Sequence, residues 1–187
     1  MPEKVEIFPL VDADGKVTGK ATRAECHCGI KLLHPVVHLH CFDAQGRLYL
    51  QKRAARKDTY PGLWDTSVGG HVDYGEEVGA ALLREANEEL ALHDIYPIFL
   101  FRYLYESEVE RELVYVYCVT LLSPPHPNKD EVSEGRFWKV EEALTSLGKG
   151  IFTPNFEGEI HRMLQATGKL STREKLQHLH GCTIKLH

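Results

Sequence analysis

Long uncharged runs are missing from this chain of 187 residues. No apolar stretch approaches the ~18 residues that a membrane-crossing helix needs, so no such helix is expected. Met1 to Leu10 also lacks a basic region followed by an apolar run, so no secretory leader is expected and the cytoplasm is the expected location. An excess of positive charge is missing too. With 22 Lys and Arg against 27 Asp and Glu, the net charge is -5, and the sequence pI is near 6.1. General binding to nucleic acid or to an acidic membrane is therefore not expected. Paired cysteines are absent as well: Cys26, Cys28, Cys41, Cys118 and Cys182 form an odd, scattered set that gives no disulfide framework and suits a reducing compartment. Cys26 and Cys28 flank His27, but no second pair with zinc-finger spacing follows. Repeats and low-complexity segments do not occur. What remains is a chain with 43% hydrophobic residues, enough for one core, read as a single domain with a short terminal extension.

The most informative stretch runs from Gly69 to Leu92. It reads as a glycine-rich turn leading into a helix, and at ~100° per residue Gly79, Leu83, Ala86 and Leu90 fall on one stripe, the expected core face. Glu85, Glu88 and Glu89 fall within roughly 100° of each other on the opposite side. Two carboxylates ~6 Å apart repel by roughly 3 kcal/mol at an effective dielectric of 20 but by under about 1 kcal/mol in water. Energy therefore permits a solvated acidic face, and spacing decides instead. Gly70, Glu76, Arg84, Glu85, Glu88 and Glu89 stand at fixed separations. At roughly 7% usage each, chance gives such a match on the order of once in ten million start positions.

The rest of the chain alternates strand and helix signals. Val5 to Val11 and Lys16 to Lys20 flank the turn at Asp12 to Gly15, a hairpin, and Thr22 can cap a short helical turn. Pro35 opens a strand in which Val37, Leu39 and Cys41 share one face and His38 and His40 the other. Arg47 to Lys52 reads as its returning strand. The cations Lys52, Arg53, Arg56 and Lys57 precede the turn Pro61 to Trp64, which feeds a strand from Asp65 to Val68. Cationic side chains beside a divalent-metal site suit a diphosphate. Ile98 to Tyr105, Leu113 to Leu122 and Arg136 to Val140 read as strands, and Glu141 to Leu147 as a short helix. Thr153-Pro154 opens another helix with stripe residues Phe156, Ile160, Met163 and Leu164. Ser171 with Glu174 resembles a capping box for a last helix. Mixed strands interleaved with helices predict an α/β/α sandwich.

Gly70 to Leu92 resembles the Nudix box: a glycine, five residues, Glu, seven residues, then Arg-Glu-apolar-any-Glu-Glu-any-Gly-apolar. Ala91 stands where the pattern has its second glycine, a helix-closing position. The resemblance implies a Nudix-type α/β/α sandwich with a mixed β-sheet, placed at residues 35–167 between an N-terminal hairpin and short helix, 1–34, and a C-terminal extension, 168–187. It extends further. Leu10-Val11-Asp12, Gly19, Thr22-Arg23, His27, Leu33-His34, Leu50 to Arg53, Pro61 to Trp64 and Gly70-His71 are similar to the Nudix branch that contains the type-1 isopentenyl-diphosphate isomerases. That branch implies a divalent metal held by His27, His34, His71, Glu110 and Glu112, and such a donor set suits Mn²⁺, Zn²⁺ or Fe²⁺. It also implies that Arg23, Arg53 and Lys57 bind the diphosphate and that Glu89 reaches a substrate-bound Mg²⁺. One position departs: Gly69 stands where the isomerases carry their catalytic cysteine, and glycine can neither donate nor accept the allylic proton.

The expected activity is therefore metal-dependent hydrolysis of a phosphoanhydride in a small nucleoside-diphosphate-type compound. Mg²⁺ or Mn²⁺ would be bound by Glu85, Glu88 and Glu89 with the Gly69 carbonyl, Arg84 would orient the glutamates, and Glu85 or Glu112 would be the base. Two alternatives stay open, an isomerase-like activity and a nucleotide-binding module without catalysis. Expected partners are a diphosphate substrate and, as an option, a second copy of the chain in a homodimer.

Overall fold

The computed structural model describes residues 5–55 and 59–169. The chain opens with the expected hairpin, β1 (Ile7–Val11) and β2 (Val17–Thr22), followed by one helical turn, α1 (Arg23–Cys26). Thr22 caps that turn through a reciprocal capping box with Glu25. Then come β3 (Leu33–Phe42), β4 (Leu48–Arg53), β5 (Trp64–Asp65), β6 (Val68–His71), α2 (Val78–Leu90), β7 (Ile98–Glu106), β8 (Arg111–Thr120), β9 (Val132–Trp138), α3 (Val140–Thr145) and α4 (Pro154–Gly168). The expected single strand over 65–68 is in fact split into β5 and β6, because β5 pairs with β4 while β6 pairs with β3. Gly69 and Gly70, read above as a turn, lie inside β6, and the turn falls at Asp73–Gly75, where Gly75 takes the left-handed conformation.

The main sheet is mixed. Its central path runs β5-β4-β3-β8-β7, with β6 added to β3 and β9 to β4. β3 and β8 are parallel along their whole length, whereas the other pairs are antiparallel. Helix α2 covers one face, packing Leu82, Ala86 and Leu90 on Val37, Leu39 and Cys41. Helix α4 covers the other with Phe156, Ile160 and Met163. The three-layer architecture is as expected.

Two details of the helices differ from the periodicity reading. On α2 the buried residues are Ala81, Leu82, Ala86, Glu89 and Leu90, while Leu83 and Gly79 are exposed. The core face is thus rotated from the expected stripe, and this rotation carries Glu85 and Glu89 to its border. At the C-terminus Ala91 closes the helix with φ 51° and ψ 37°, the left-handed geometry that a β-carbon adopts at a cost of ~1 kcal/mol or more. Helix α4 begins where expected, with Thr153 accepting from the Phe156 amide. The Ser171–Glu174 cap lies outside the described residues. No helix among the described residues is long and apolar enough to cross a membrane.

Candidate functional site

The acidic ridge is built by α2 against β6. Arg84 is its organiser: Nε and Nη2 donate to Glu76 at 3.0 and 2.9 Å, Nη1 donates to Glu85 at 2.8 Å and Glu88 at 3.3 Å, and Nη2 also donates to the His71 carbonyl at 3.0 Å. One guanidinium therefore ties the end of β6 to the helix, and these contacts hold Glu76 below the ordinary carboxylate range. Glu85 goes the other way. Burial pushes its carboxyl up, and Arg84 only partly offsets this. The closeness of strand and helix depends on glycine, since a Cβ on Gly70 would stand 2.1 Å from Glu85 Cδ. Glu89 is buried, accepting from Gln51 Nε2 at 2.9 Å and from the Gly69 amide at 3.4 Å. Glu88 points outward, its side chain 56% exposed. The three glutamates lie along one ridge, but their oxygens do not converge on a single point.

Convergence occurs on the other side of β6. His27, His34 and His71 bring one nitrogen each to within 4.8 Å of one another, and among the described residues they are the one group of three or more such donors. His34 Nδ1 donates to the Leu32 carbonyl at 2.9 Å, which leaves Nε2 as a buried lone pair with no hydrogen-bond partner among the described residues. Burial pushes His34 down, toward the neutral ligand form. His27 Nε2 stands 3.2 Å from His71 Nε2, and His27 Nδ1 pairs with Glu110 at 2.9 Å. Phe8 of β1 stacks on His71 with ring centroids 4.4 Å apart, so the N-terminal hairpin walls the cluster. Glu112 joins it through the sheet, because parallel pairing sets it beside His34. Burial and the nearby Glu110 raise Glu112 to about 8. Glu110 is itself buried, yet His27 holds it below the usual range. An orphaned imidazole nitrogen amid two further imidazoles and two carboxylates fits a divalent cation of the Mn²⁺, Zn²⁺ or Fe²⁺ type.

The expected phosphate-binding cations are less uniform. Arg23 is exposed and paired with Glu6 at 2.9 Å. Arg53 is taken up by Asp65 and by the Thr59 carbonyl and hydroxyl. Lys57 lies outside the described residues. Among the aromatic residues near the site, Trp64 belongs to the α4 core and Tyr103 to a buried network, while Tyr60 and Tyr74 are exposed.

That network escaped the sequence reading. Glu159 of α4, fully buried, accepts from His38 Nδ1 at 2.9 Å, His40 Nε2 at 2.5 Å and the Tyr103 hydroxyl at 2.7 Å. Burial disfavours both charges of the His38–Glu159 pair, but their attraction prevails, holding His38 at about 9 and Glu159 well below the ordinary range. A signal was available: Glu159 interrupts an otherwise apolar helical stripe, opposite two histidines on alternate positions of an apolar strand.

Fold and site together define a class, an α/β/α sandwich that presents an acidic helix and a histidine–carboxylate cluster on either side of one short glycine-bearing strand. Comparison then identifies the family. The NUDIX domain model matches residues 32–156, and the chain belongs to that family, whose enzymes generally use divalent metals such as Mg²⁺ or Mn²⁺. It is 33% identical over 157 residues, 80% of this chain and 87% of the relative, to an isopentenyl-diphosphate Δ-isomerase of Mycolicibacterium vanbaalenii. It is 34% identical over 152 residues, 80% of this chain and 83% of the relative, to an uncharacterized Nudix hydrolase of Streptomyces coelicolor. In structure it is similar to DR0079 from Deinococcus radiodurans, with a TM-score of 0.74 at 24% identity, covering 84% of this chain and 98% of that one.

Proposed function

We propose that this protein is a divalent-metal-dependent hydrolase that cleaves the phosphoanhydride of a small nucleoside-diphosphate-type compound. One observation carries the reading: the ridge of Arg84, Glu85, Glu88 and Glu89 is intact, while Gly69 offers no side chain where an isomerase of this branch needs a proton-transferring cysteine. Glu85, lifted by burial above the usual carboxylate range, suits a general base that takes a proton from the attacking water as the new P–O bond forms and the bridging P–O bond breaks. Arg84 keeps that carboxylate in place through the contact at 2.8 Å. Mg²⁺ or Mn²⁺, bound by Glu85, Glu88 and Glu89 with the Gly69 carbonyl, supplies charge neutralisation on the phosphoryl oxygens. His27, His34, His71, Glu110 and Glu112 would hold a second divalent ion. Arg23, Arg53 and Lys57 are assigned to the phosphates, which for Arg53 requires release from Asp65 or Thr59.

A second reading, isopentenyl-diphosphate isomerisation, is favoured by the complete histidine–carboxylate set and by relatives bearing that name. Incubation with isopentenyl diphosphate, and separately with nucleoside di- and triphosphates, under Mg²⁺ and Mn²⁺ separates the two. Phosphate release from a nucleotide is expected. Formation of dimethylallyl diphosphate without phosphate release would replace hydrolysis with isomerisation.

A further inference from the structure

The α2 carboxylates and the cluster around His34 account for the proposed chemistry, but they leave His38 and His40, further along the same face of β3 as His34, without a task. There Glu159 sits sealed in the core under three donors, from His38, His40 and Tyr103. Well-packed apolar residues of similar volume often serve stability as well as a buried ionic network does. What they would not do is fix the orientation of an imidazole. With Nδ1 of His38 held by Glu159, its Nε2 has no hydrogen-bond partner among the described residues, although His38 is only 8% exposed. That nitrogen faces Gly69, its cross-strand neighbour. A Cβ built on Gly69 would stand 3.8 Å from Nε2, 3.5 Å from Cδ2 of the same ring and 3.6 Å from Thr66 Cγ2. A Cβ at this position would therefore be tolerated in ordinary van der Waals contact, bordered by the polar edge of His38. It adjoins the acidic ridge, because the Gly69 amide donates to Glu89.

We propose that His38, locked by Glu159, is a specificity-determining residue: its Nε2 meets a polar, hydrogen-bonding group on the non-phosphoryl end of the substrate, brought up beside Gly69, where no side chain intervenes. The site thereby selects diphosphates of nucleosides or sugars over diphosphates of hydrocarbons. This deepens the hydrolase reading and rests on it. A hydrocarbon tail there would strip the imidazole nitrogen of water and return nothing, whereas a sugar hydroxyl or a base edge pairs with it.

Two substitutions divide the ring's two nitrogens. In His38→Asn the amide can mimic Nδ1 and keep the Glu159 contact but loses the group facing Gly69. In His38→Gln the longer amide can mimic Nε2 and loses the Glu159 contact instead. The readout is the ratio of kcat/KM for a nucleoside diphosphate, and for a sugar diphosphate without a base, to that for isopentenyl diphosphate. We expect His38→Asn to lower at least one ratio about 30-fold, mainly through KM, with some loss of thermal stability because the charge facing Glu159 is gone, and His38→Gln to restore part of the ratio. A ratio equal to the parent's in His38→Asn overturns the proposal. An independent measurement covers the case in which the protein hydrolyses nothing. In the ¹⁵N-histidine spectrum of the intact chain, a nucleoside monophosphate or a sugar phosphate should shift the His38 ring signals, while inorganic phosphate should not. Failure to release phosphate from any diphosphate would remove the hydrolase reading, whereas ring signals indifferent to both ligands would remove the role of His38.

Discussion

Two acidic groups flank the short strand β6, and they are built on opposite principles. On the α2 side, Glu85, Glu88 and Glu89 crowd one ridge, half-open to solvent, with a single guanidinium among like charges. On the α4 side, Glu159 stands alone among three donors and is itself fully buried. The first arrangement leaves negative charge only partly neutralised and so suits the capture of a cation. The second satisfies its charge completely and suits the holding of other side chains in place. Excess charge marks a group that acts, and balanced charge marks a group that positions.

Substitution can break this contrast, and the largest effect should come from the ridge. Glu85→Gln is expected to lower kcat about 10³-fold, some 4 kcal/mol of barrier. Its urea midpoint should stay level or rise, because a carboxyl raised by burial costs stability while it is charged. A variant that keeps its turnover would remove Glu85 from the chemistry. Glu159→Ala should do the reverse, lowering unfolding free energy by about 3 kcal/mol by stranding two imidazoles and a phenol in the core. A urea midpoint unchanged from the parent would show the network to be dispensable.

The pH dependence of stability sharpens the same comparison. Glu159 has a folded value below its ordinary 4.5, so its contribution is present above that pH and lost as the pH falls through the depressed value. His38 is raised from 6.5 to about 9, so its contribution is full below 6.5 and lost as the pH rises through about 9. Both limbs express one ion pair and count once. The melting temperature should be highest between these limits, and an alkaline decline that persists in His38→Asn would assign that limb elsewhere. The smallest effect belongs to the helix end. Ala91→Gly should raise stability by about 0.5 kcal/mol, as relief of the left-handed strain exceeds the added chain entropy, with no change in turnover.

How much of this the sequence disclosed follows from separation along the chain. The ridge was legible because its residues lie within one helix, where the spacing of Arg84, Glu85, Glu88 and Glu89 carries the signal. Its rotation was not, because the choice between Leu82 and Leu83 for the core depends on how α2 settles on β3 and β6. The histidine cluster came only through resemblance. His27, His34 and His71 sit on different elements, and no periodicity links them. The Glu159 network was missed altogether, since an acidic residue in an apolar stripe reads as an interruption until its partners on β3 and β7 are placed against it. Gly69 and Gly70 read as a turn by composition, yet both lie inside β6, and at Gly70 close packing against Glu85, not chain reversal, accounts for the glycine.

The parallel junction of β3 with β8 carries a kinetic consequence. These strands lie far apart in the chain, with four strands and α2 between them along the way. Antiparallel neighbours such as β7 and β8 can zip from a short connection, but this seam must wait until a long loop has closed. His34 and Glu112 become neighbours only at that seam, so a nascent chain would gain its acidic helix early and its imidazole cluster at the last stage of folding.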